Sequence, residues 1–404
     1  MATDGDAART RGGVSASGKP HTKPQRVLVV GSGTRFLSGI SVYTFRLSNV
    51  LAEKHRVTLI TMRRLLPARL YPGSVRVGAQ LTHLEPAAGV SAYDGVDWYW
   101  LPSILRAAWL IIRRRPQVAI FQWWTGTVLH TYIALAVLVK LMGGKLVIEF
   151  HEVLDTAEAK IPIVHRYVRV FGPLLMRLAD GFTVHSEFDR DLVGGTWPQT
   201  KRRPLAVLPH GPHDHYTNER AATPLREAPA DVCNLLFFGV IRPFKGLEHL
   251  VEAFEQIPDD QIGHYWLTVV GETWEGWTLP AEMIARSPRR DRITFVNRYV
   301  TDEELEGYLE GADAVVLPYL RSSLSGPLHV AMGYGLPIVM TEVGGNVEAA
   351  AGYAGIVLVP PSDPTALEAA IERLPEMGTT RYEHPHSWSD TRVAYEELFA
   401  RLRG

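Results

Sequence analysis

The 404-residue sequence predicts an α/β protein made of two tandem Rossmann-like domains, each with a parallel sheet, and a cleft between them. Three observations support this fold class. The length exceeds the ~100–200 residues of a typical domain. Short apolar runs alternate with helical patterns, and this order of elements restarts after residue 205. Continuous apolar runs are typical of strands buried on both faces, as in parallel sheets.

The first half is predicted to form a domain over residues 26–211. Residues 1–25 are rich in Gly, Ala, Ser and Thr without apolar periodicity, so they predict a disordered tail and no signal peptide. A strand at 26–30, a glycine-rich loop, a helix at 41–54 and a strand at 57–60 form a βαβ unit. Further strands are expected at 118–121, 146–150, 181–184 and 206–209.

The second half repeats this pattern. The proline-containing stretch 212–230 predicts a linker, and the second domain is expected to span residues 231–385. Its strands are predicted at 234–239, 266–271, 293–295, 314–318 and 337–340. Helices are expected at 246–256, 302–309, 327–334 and 365–374.

Composition excludes several classes of protein. Hydrophobic residues make up 46% and charged residues 21% of the chain, which indicates a globular protein and excludes collagen or a coiled coil. The single cysteine, Cys233, excludes a disulfide framework and a thiolate metal cluster, and favours a reducing cytoplasm. The net charge of −1 argues against nucleic acid as a partner.

The charge is unevenly distributed. Residues 26–204 hold 23 Lys and Arg against 12 Asp and Glu, whereas residues 205–404 hold 15 against 29. Five of the ten tryptophans lie in residues 98–124, beside the basic run 113–115. The apolar stretches there fall short of the ~18–20 residues of a membrane span. The composition therefore indicates either peripheral contact with an anionic membrane or aromatic residues that fill the first domain's core.

Three loops at predicted strand–helix junctions suit an anionic ligand. The loop from Gly31 to Gly39 matches neither a Walker A motif nor a clean GxGxxG, and predicts either close ligand approach or a tight turn. Arg242 and Lys245 follow a strand that ends at Gly239, beside a helix start, which suits a diphosphate. A second cradle is predicted from the backbone of Ser323, Leu324, Ser325 and Gly326, with Ser325 as the N-cap before Pro327. Two cradles in one domain indicate a nucleotide diphosphate derivative.

A fourth junction contains Gly344 and Gly345, followed by Glu348. The two glycines permit close approach of the backbone. Glu348 could accept hydrogen bonds from sugar hydroxyls or complement a helix N-terminus. Both alternatives stay open from the sequence.

Three histidines, His151, His185 and His210, follow predicted strands of the first domain. They are expected to line the cleft that faces the second domain. No metal is expected, because His151 and Glu152 are adjacent and lack the helical spacing of zinc ligands.

Taken together, these motifs resemble glycosyltransferase family 4. The resemblance rests on Phe237–Gly246, on Ala331–Val339, on Gly344, Gly345 and Glu348, and on the three histidines with Ser186 and Gly211. It covers roughly residues 26–400 and implies a GT-B fold, with a C-terminal helix at about 386–404 that packs on the first domain. It also implies a retaining, metal-independent hexosyltransferase-type enzyme with a nucleotide-sugar donor and no cofactor.

The resemblance assigns roles to the candidate residues. Arg242 and Lys245 would hold the diphosphate, and His151 would lie beside the donor sugar; these three are the expected catalytic residues. Gly39 would close over the diphosphate from the first domain. The expected donor-binding set is Gly39, His210, Gly239, Arg242, Lys245, Ser323, Leu324, Ser325, Gly326, Gly344, Gly345 and Glu348.

The sequence departs from the family in two respects. The family's two glutamates, eight positions apart, fall on Ser322 and Val330, and its usual Arg, five residues before the Lys, falls on Val240, although Arg242 lies nearby.

The expected activity is sugar transfer to a glycan or lipid-linked acceptor in cell-surface polysaccharide or glycolipid synthesis, in the cytoplasm or on the inner membrane face. A nucleotide-sugar epimerase of the same architecture, or a sugar-nucleotide-binding pseudoenzyme, is the alternative.

Overall fold

The structure is a computed structural model that describes residues 23–33, 39–64, 85–97, 99–153, 162–213, 223–274, 276–323, 325–377 and 380–403. The predicted tail therefore lies outside the described residues up to residue 22. In the first domain the elements are β1 (Arg26–Ser32), α1 (Gly39–Ala52), β2 (Arg56–Arg64), β3 (Ser91–Asp97), α2 (Leu101–Arg114), β4 (Val118–Trp123), α3 (Leu129–Leu141), β5 (Lys145–Phe150), α4 (Pro162–Leu178), β6 (Gly181–Val184), α5 (Glu187–Thr196) and β7 (Leu205–Val207).

The second domain follows after residue 230, and the chain ends in a long helix that returns to the first domain. The elements from residue 230 to the end of the chain are β8 (Cys233–Phe238), α6 (Leu247–Gln256), β9 (Tyr265–Val270), α7 (Leu279–Arg286), β10 (Ile293–Val296), α8 (Asp302–Glu310), β11 (Ala314–Leu317), α9 (Gly326–Gly333), β12 (Ile338–Thr341), α10 (Asn346–Ala349), β13 (Ile356–Val359), α11 (Pro364–Glu372), α12 (Leu374–Met377) and α13 (Trp388–Arg401).

The described strands form two parallel sheets. Their orders are β3-β2-β1-β4-β5-β6-β7 and β10-β9-β8-β11-β12-β13. The strand order reverses between β1 and β4 in the first sheet, and between β8 and β11 in the second. In open α/β sheets, ligands bind at such reversals, outside the carboxyl ends of the strands. The prediction of two tandem Rossmann-like domains is confirmed.

Apolar runs explain why the central strands form. Residues Val27–Val30 of β1 are completely buried between β2 and β4. In the first domain, α2, α3 and α4 contribute to one hydrophobic core, whereas α1 and α13 contribute to another. The two cores cover opposite faces of the sheet, as right-handed crossovers in opposite directions require.

Two edge strands lie outside the set predicted from the sequence. β3 contains Gly95, Asp94 and Asp97, and its first four residues alternate between partly buried and exposed. β13 is partly exposed at Ile356 and Val357. Edge strands with one neighbour bury less apolar surface, so their sequence signal is weaker than that of central strands.

The C-terminal helix α13 returns to the first domain. Trp388 donates from Nε1 to the Pro212 carbonyl at 2.9 Å, and Thr391 donates from Oγ1 to the Pro209 carbonyl at 2.8 Å. Residues 223–230 of the predicted linker pack on the second domain, where Arg226 donates to the Asp313 carboxylate at 2.8 Å. These contacts hold the chain where it passes between the domains.

No helix within the described residues is long and apolar enough to cross a membrane.

Candidate functional site

Arg242 and Lys245 lie just beyond the carboxyl end of β8, where the strand order reverses. The chain turns through Gly239, with φ of +109°, into a short 3₁₀ turn at Pro243–Lys245. Gly246 has φ of +64°, and a Cβ atom there would lie 2.0 Å from the Pro318 carbonyl oxygen. Glycine is therefore required where the turn meets β11 and α6 begins.

Aromatic rings support both cations. The Arg242 guanidinium lies 4.8 Å from the centroid of the Trp274 ring, and the Lys245 ammonium lies 3.7 Å from that of Tyr319. Both cationic side chains are half-buried. Cations held over aromatic rings, beside a helix N-terminus, form a positively charged edge that suits a diphosphate.

The serine- and glycine-containing loop lies beside these cations. Ser325 accepts a hydrogen bond from the Leu328 amide at 3.2 Å, so it is the N-cap of α9, as its sequence position predicts. Its hydroxyl also donates to the Tyr319 hydroxyl at 3.4 Å, which connects the loop to the ring beneath Lys245. Leu324 lies outside the described residues.

The first domain reaches this loop through Gly39. A Cβ atom at Gly39 would lie 3.7 Å from the Gly326 Cα atom and 3.1 Å from Cε1 of His213. Backbone from both domains thus meets where the family resemblance implies that Gly39 closes over the diphosphate.

Gly344 and Gly345 lie where their loop packs closely against the Ser325 loop of the same domain and against the first domain. Gly344 has φ of +54°, and a Cβ atom there would lie 1.8 Å from the Ser322 carbonyl oxygen. A Cβ atom at Gly345 would lie 2.4 Å from the Ser323 carbonyl oxygen and 2.6 Å from Oγ of Ser186 in the first domain. Both positions exclude larger residues.

Glu348 connects the two domains. Its carboxylate accepts hydrogen bonds from the backbone amides of Glu187 at 2.6 Å and Phe188 at 2.9 Å, at the start of α5 in the first domain. The sequence left two partners open for Glu348, sugar hydroxyls or a helix N-terminus. The described contacts are with a helix N-terminus, and this helix, α5, belongs to the other domain. A carboxylate at that position is stabilised by the helix dipole.

We expect Glu348→Ala to loosen this connection. Hydrogen bonds to a charged group contribute about 1.5–3 kcal/mol. The amides of Glu187 and Phe188 should then exchange with deuterium about ten- to a hundredfold faster. Glu342→Ala, in the same loop but exposed, is the matched control. Equal exchange rates in both variants would show that the Glu348 contact does not stabilise the start of α5.

The three predicted histidines come together around Tyr43. Its ring centroid lies 4.7 Å from that of His151, 5.1 Å from His185 and 4.6 Å from His210. All three are buried, and that they line the cleft facing the second domain stays a prediction. His210 stacks on His329 of the second domain with a centroid distance of 4.0 Å.

A buried carboxylate, Glu149, organises this cluster, and the sequence reasoning missed it. It accepts hydrogen bonds from Tyr43 at 2.7 Å and Tyr395 at 2.5 Å, and from the Gln122 amide at 3.0 Å. The Nε2 atoms of His151 and His185 face it at 3.4 and 3.7 Å. The available signal was one charged residue inside the apolar run of β5.

The surroundings of Glu149 keep it ionised. Burial alone would raise its pKa, but the neighbouring His151, with further contributions from His185 and Tyr395, lowers this pKa to about 2. Burial raises the pKa values of Tyr43 and Tyr395 well above the ordinary value, so both remain hydroxyl donors. Through Tyr395 and Glu149, the C-terminal helix thus contributes to the position of His151.

Glu149, His151 and His185 could also hold a metal ion, since their ligand atoms lie within 4.8 Å of one another. Both carboxylate oxygens, however, already accept hydrogen bonds from Tyr43, Tyr395 and Gln122. These contacts satisfy the carboxylate without an ion. The expectation that no metal takes part in the activity stays a prediction.

Comparison with known proteins agrees with this architecture. Residues 233–376 match the family model described as Glycosyl transferases group 1. Over 88% of this chain and 87% of the relative, the sequence is 28% identical to a D-inositol 3-phosphate glycosyltransferase of Xylanimonas cellulosilytica. Three other curated relatives align with this chain over less than half of their own length.

Solved structures share the fold. A sucrose-phosphate synthase from Thermosynechococcus elongatus superposes with a TM-score of 0.61 at 19% identity, over 94% of each chain. Anabaena HepE in complex with UDP superposes with a TM-score of 0.56 at 13% identity, over 93% of this chain and 95% of that one. At these identities the likeness shows the fold, which is the GT-B fold of two α/β domains.

Proposed function

Because residues 233–376 match the family model described as Glycosyl transferases group 1, we propose that the chain transfers a sugar from a nucleotide diphosphate sugar to an acceptor hydroxyl. The observation that carries this proposal is the placement of Arg242 and Lys245 at the carboxyl edge of β8, beside the Ser325 loop. A developing negative charge on the leaving diphosphate is stabilised by fixed cations and helix N-termini. The nucleotide in the HepE complex lends this donor class further support.

We propose that the transfer retains the anomeric configuration and needs no metal. Glycosyl transfer passes through an oxocarbenium-like transition state, so the main electrostatic task is to stabilise the leaving group. The acceptor attacks the face that the diphosphate leaves, and a phosphate oxygen takes its proton. His151, oriented by Glu149, is proposed to lie beside the donor sugar.

The acceptor is proposed to be a glycan or a lipid-linked glycan, in cell-surface polysaccharide or glycolipid synthesis. The basic, tryptophan-rich first domain supports this choice, because it suits an acceptor at an anionic membrane surface. The proposed location is the cytoplasm, with peripheral association at the inner membrane face.

A panel of nucleoside diphosphate sugars tests the donor assignment. One member should raise the melting temperature, since ligands that bind only the folded state stabilise it. That donor is then incubated with and without a lipid-linked acceptor, in buffer with and without EDTA. We expect transfer only with the acceptor, an unchanged rate with EDTA, and retained configuration by NMR of the product.

The same assay separates the two alternatives, an epimerase of the same architecture and the pseudoenzyme that Ser322 and Val330 motivate. Turnover of the donor alone would indicate an epimerase. Donor binding with no turnover under any condition would indicate a sugar-nucleotide-binding pseudoenzyme. Absence of binding by every donor would contradict the proposal.

A further inference from the structure

We propose that the outer face formed by α2, α3 and α4, here called the three-helix face, binds an anionic lipid bilayer. This inference deepens the proposed function by naming the surface that meets the membrane. The biological purpose of the contact rests on the proposed function, whereas the binding itself does not. α3 contacts both α2 and α4, and all three cover the same side of the first sheet. Their outward sides therefore form one continuous surface.

The α2 helix presents its apolar stripe to solvent. Leu101, Leu105, Trp109 and Ile112 follow a spacing of four, four and three residues, and their exposed fractions range from 47% to 63%. The opposite side of the helix, which includes Ala107 and Ile111, is buried against the sheet. An amphipathic surface helix normally turns its larger apolar residues toward the core.

The neighbouring helices continue the stripe. In α3, the exposed apolar residues are Val137 and Leu141. In α4, they are Ile163, Val170, Phe171 and Leu174. Scattered apolar residues are ordinary on a protein surface, but a contiguous set across three helices marks an interaction site.

The charge of this face identifies the occupant. The sequences of α2, α3 and α4 contain no Asp or Glu. They carry six exposed arginines: Arg106, Arg113, Arg114, Arg166, Arg169 and Arg177. Arg113 lies over the Trp109 ring at 5.5 Å from its centroid, so an apolar anchor and a cation are adjacent. Tryptophan with basic residues around an apolar stripe is typical of helices that lie in the interface of an anionic bilayer.

The position of the face connects it to the site. α2 and α4 follow β3 and β5, so they begin at the carboxyl edge of the first sheet, where His151 lies. Exposed Trp100 and Ile163 stand at these helix starts, with exposed fractions of 57% and 77%. A bilayer bound there would adjoin the carboxyl edge of the first sheet, from which we expect the proposed lipid-linked acceptor to enter.

Sedimentation of the full chain with vesicles tests the proposal. Phosphatidylcholine vesicles are compared with vesicles that contain phosphatidylglycerol, at low and high salt. We expect binding to the anionic vesicles that weakens as salt rises, because surface charges are screened. Failure to bind anionic vesicles at low salt, or equal binding to neutral ones, would overturn the proposal.

Two variants locate the binding surface. Arg113→Gln with Arg166→Gln and Arg169→Gln should weaken binding about a hundredfold, at about fivefold per arginine. Leu105→Ser with Trp109→Ser should abolish binding even at low salt. The control replaces three exposed arginines elsewhere, Arg286, Arg401 and Arg403, by Gln, and should bind as the unchanged chain does.

Further measurements keep the outcomes distinct. Because all the replaced side chains are exposed, each variant should keep the circular dichroism and melting temperature of the unchanged chain. The rise in melting temperature on adding the donor, measured without vesicles, tests the proposed function alone. If no donor raises the melting temperature, the vesicle experiment still decides whether this face binds a membrane. If the chain instead dimerises by analytical ultracentrifugation, and Leu105→Ser with Trp109→Ser makes it monomeric, the face binds protein and the proposal fails.

Discussion

Replacing Arg242 and Lys245 together by alanine is expected to lower kcat/KM for sugar transfer by about 10²–10⁴-fold. Each side chain would lose charge-assisted hydrogen bonds to the diphosphate, which contribute about 1.5–3 kcal/mol apiece. The loss should be greatest in kcat, because the charge on the leaving diphosphate grows in the transition state. Steady-state kinetics with the best donor of the panel measures both constants.

A neighbouring cation provides the control for this double variant. Arg321 lies over the Phe244 ring at 5.0 Å from its centroid and is exposed. Arg321→Ala removes a positive charge from the same region but leaves Arg242 and Lys245 in place, so its kinetic constants should change less than threefold. Unchanged transfer in the double variant would show that the diphosphate lies elsewhere.

Much of the fold follows from local sequence patterns. Central strands such as β1 and β5 are buried on both faces, so their apolar runs predict them directly. The positions of Arg242, Lys245 and Ser325 follow from the same logic, since parallel strands place the loops after them at one edge. A strand end, a glycine and a cap residue are all local signals.

Contacts between distant segments could not be predicted in this way. Glu149 is satisfied by Tyr395, 246 residues later, and Glu348 binds backbone amides 160 and 161 residues earlier. Neither pairing leaves a periodic or local trace. Such contacts depend on how α13 returns and how the two domains meet, and these are properties of the assembled chain.

Lowering the pH from 8 to 5 is expected to reduce the free energy of unfolding by several kcal/mol. Burial, with the neighbouring His151, lowers the pKa of His185 to about 4, and burial, with His384, lowers that of His213 to about 3. Burial also lowers the pKa values of His210 and His329 well below the ordinary value. These histidines remain neutral in the folded chain at pH 5.

The direction of the effect follows from proton linkage. Unfolding restores the ordinary histidine pKa of about 6.5, so below that pH the unfolded chain binds more protons than the folded one. Each such histidine therefore destabilises the fold by about 1.4 kcal/mol per pH unit, from pH 6.5 down to its folded-state pKa. At pH 5, His185 and His213 together would cost about 4 kcal/mol, a large part of a typical stability of ~5–15 kcal/mol.

Urea denaturation followed by tryptophan fluorescence at several pH values measures this slope. His329→Leu removes a buried ring that stacks on His210 across the two domains. In this variant the slope of the free energy of unfolding against pH should correspond to the uptake of up to one proton fewer between pH 6.5 and 5. The slope is compared and not the absolute stability, because the lost ring contact changes the latter at every pH. His264→Gln, at an exposed position, should leave the slope unchanged. A parallel pH dependence in His329→Leu and the unchanged chain would place the acid sensitivity outside the histidines that join the two domains.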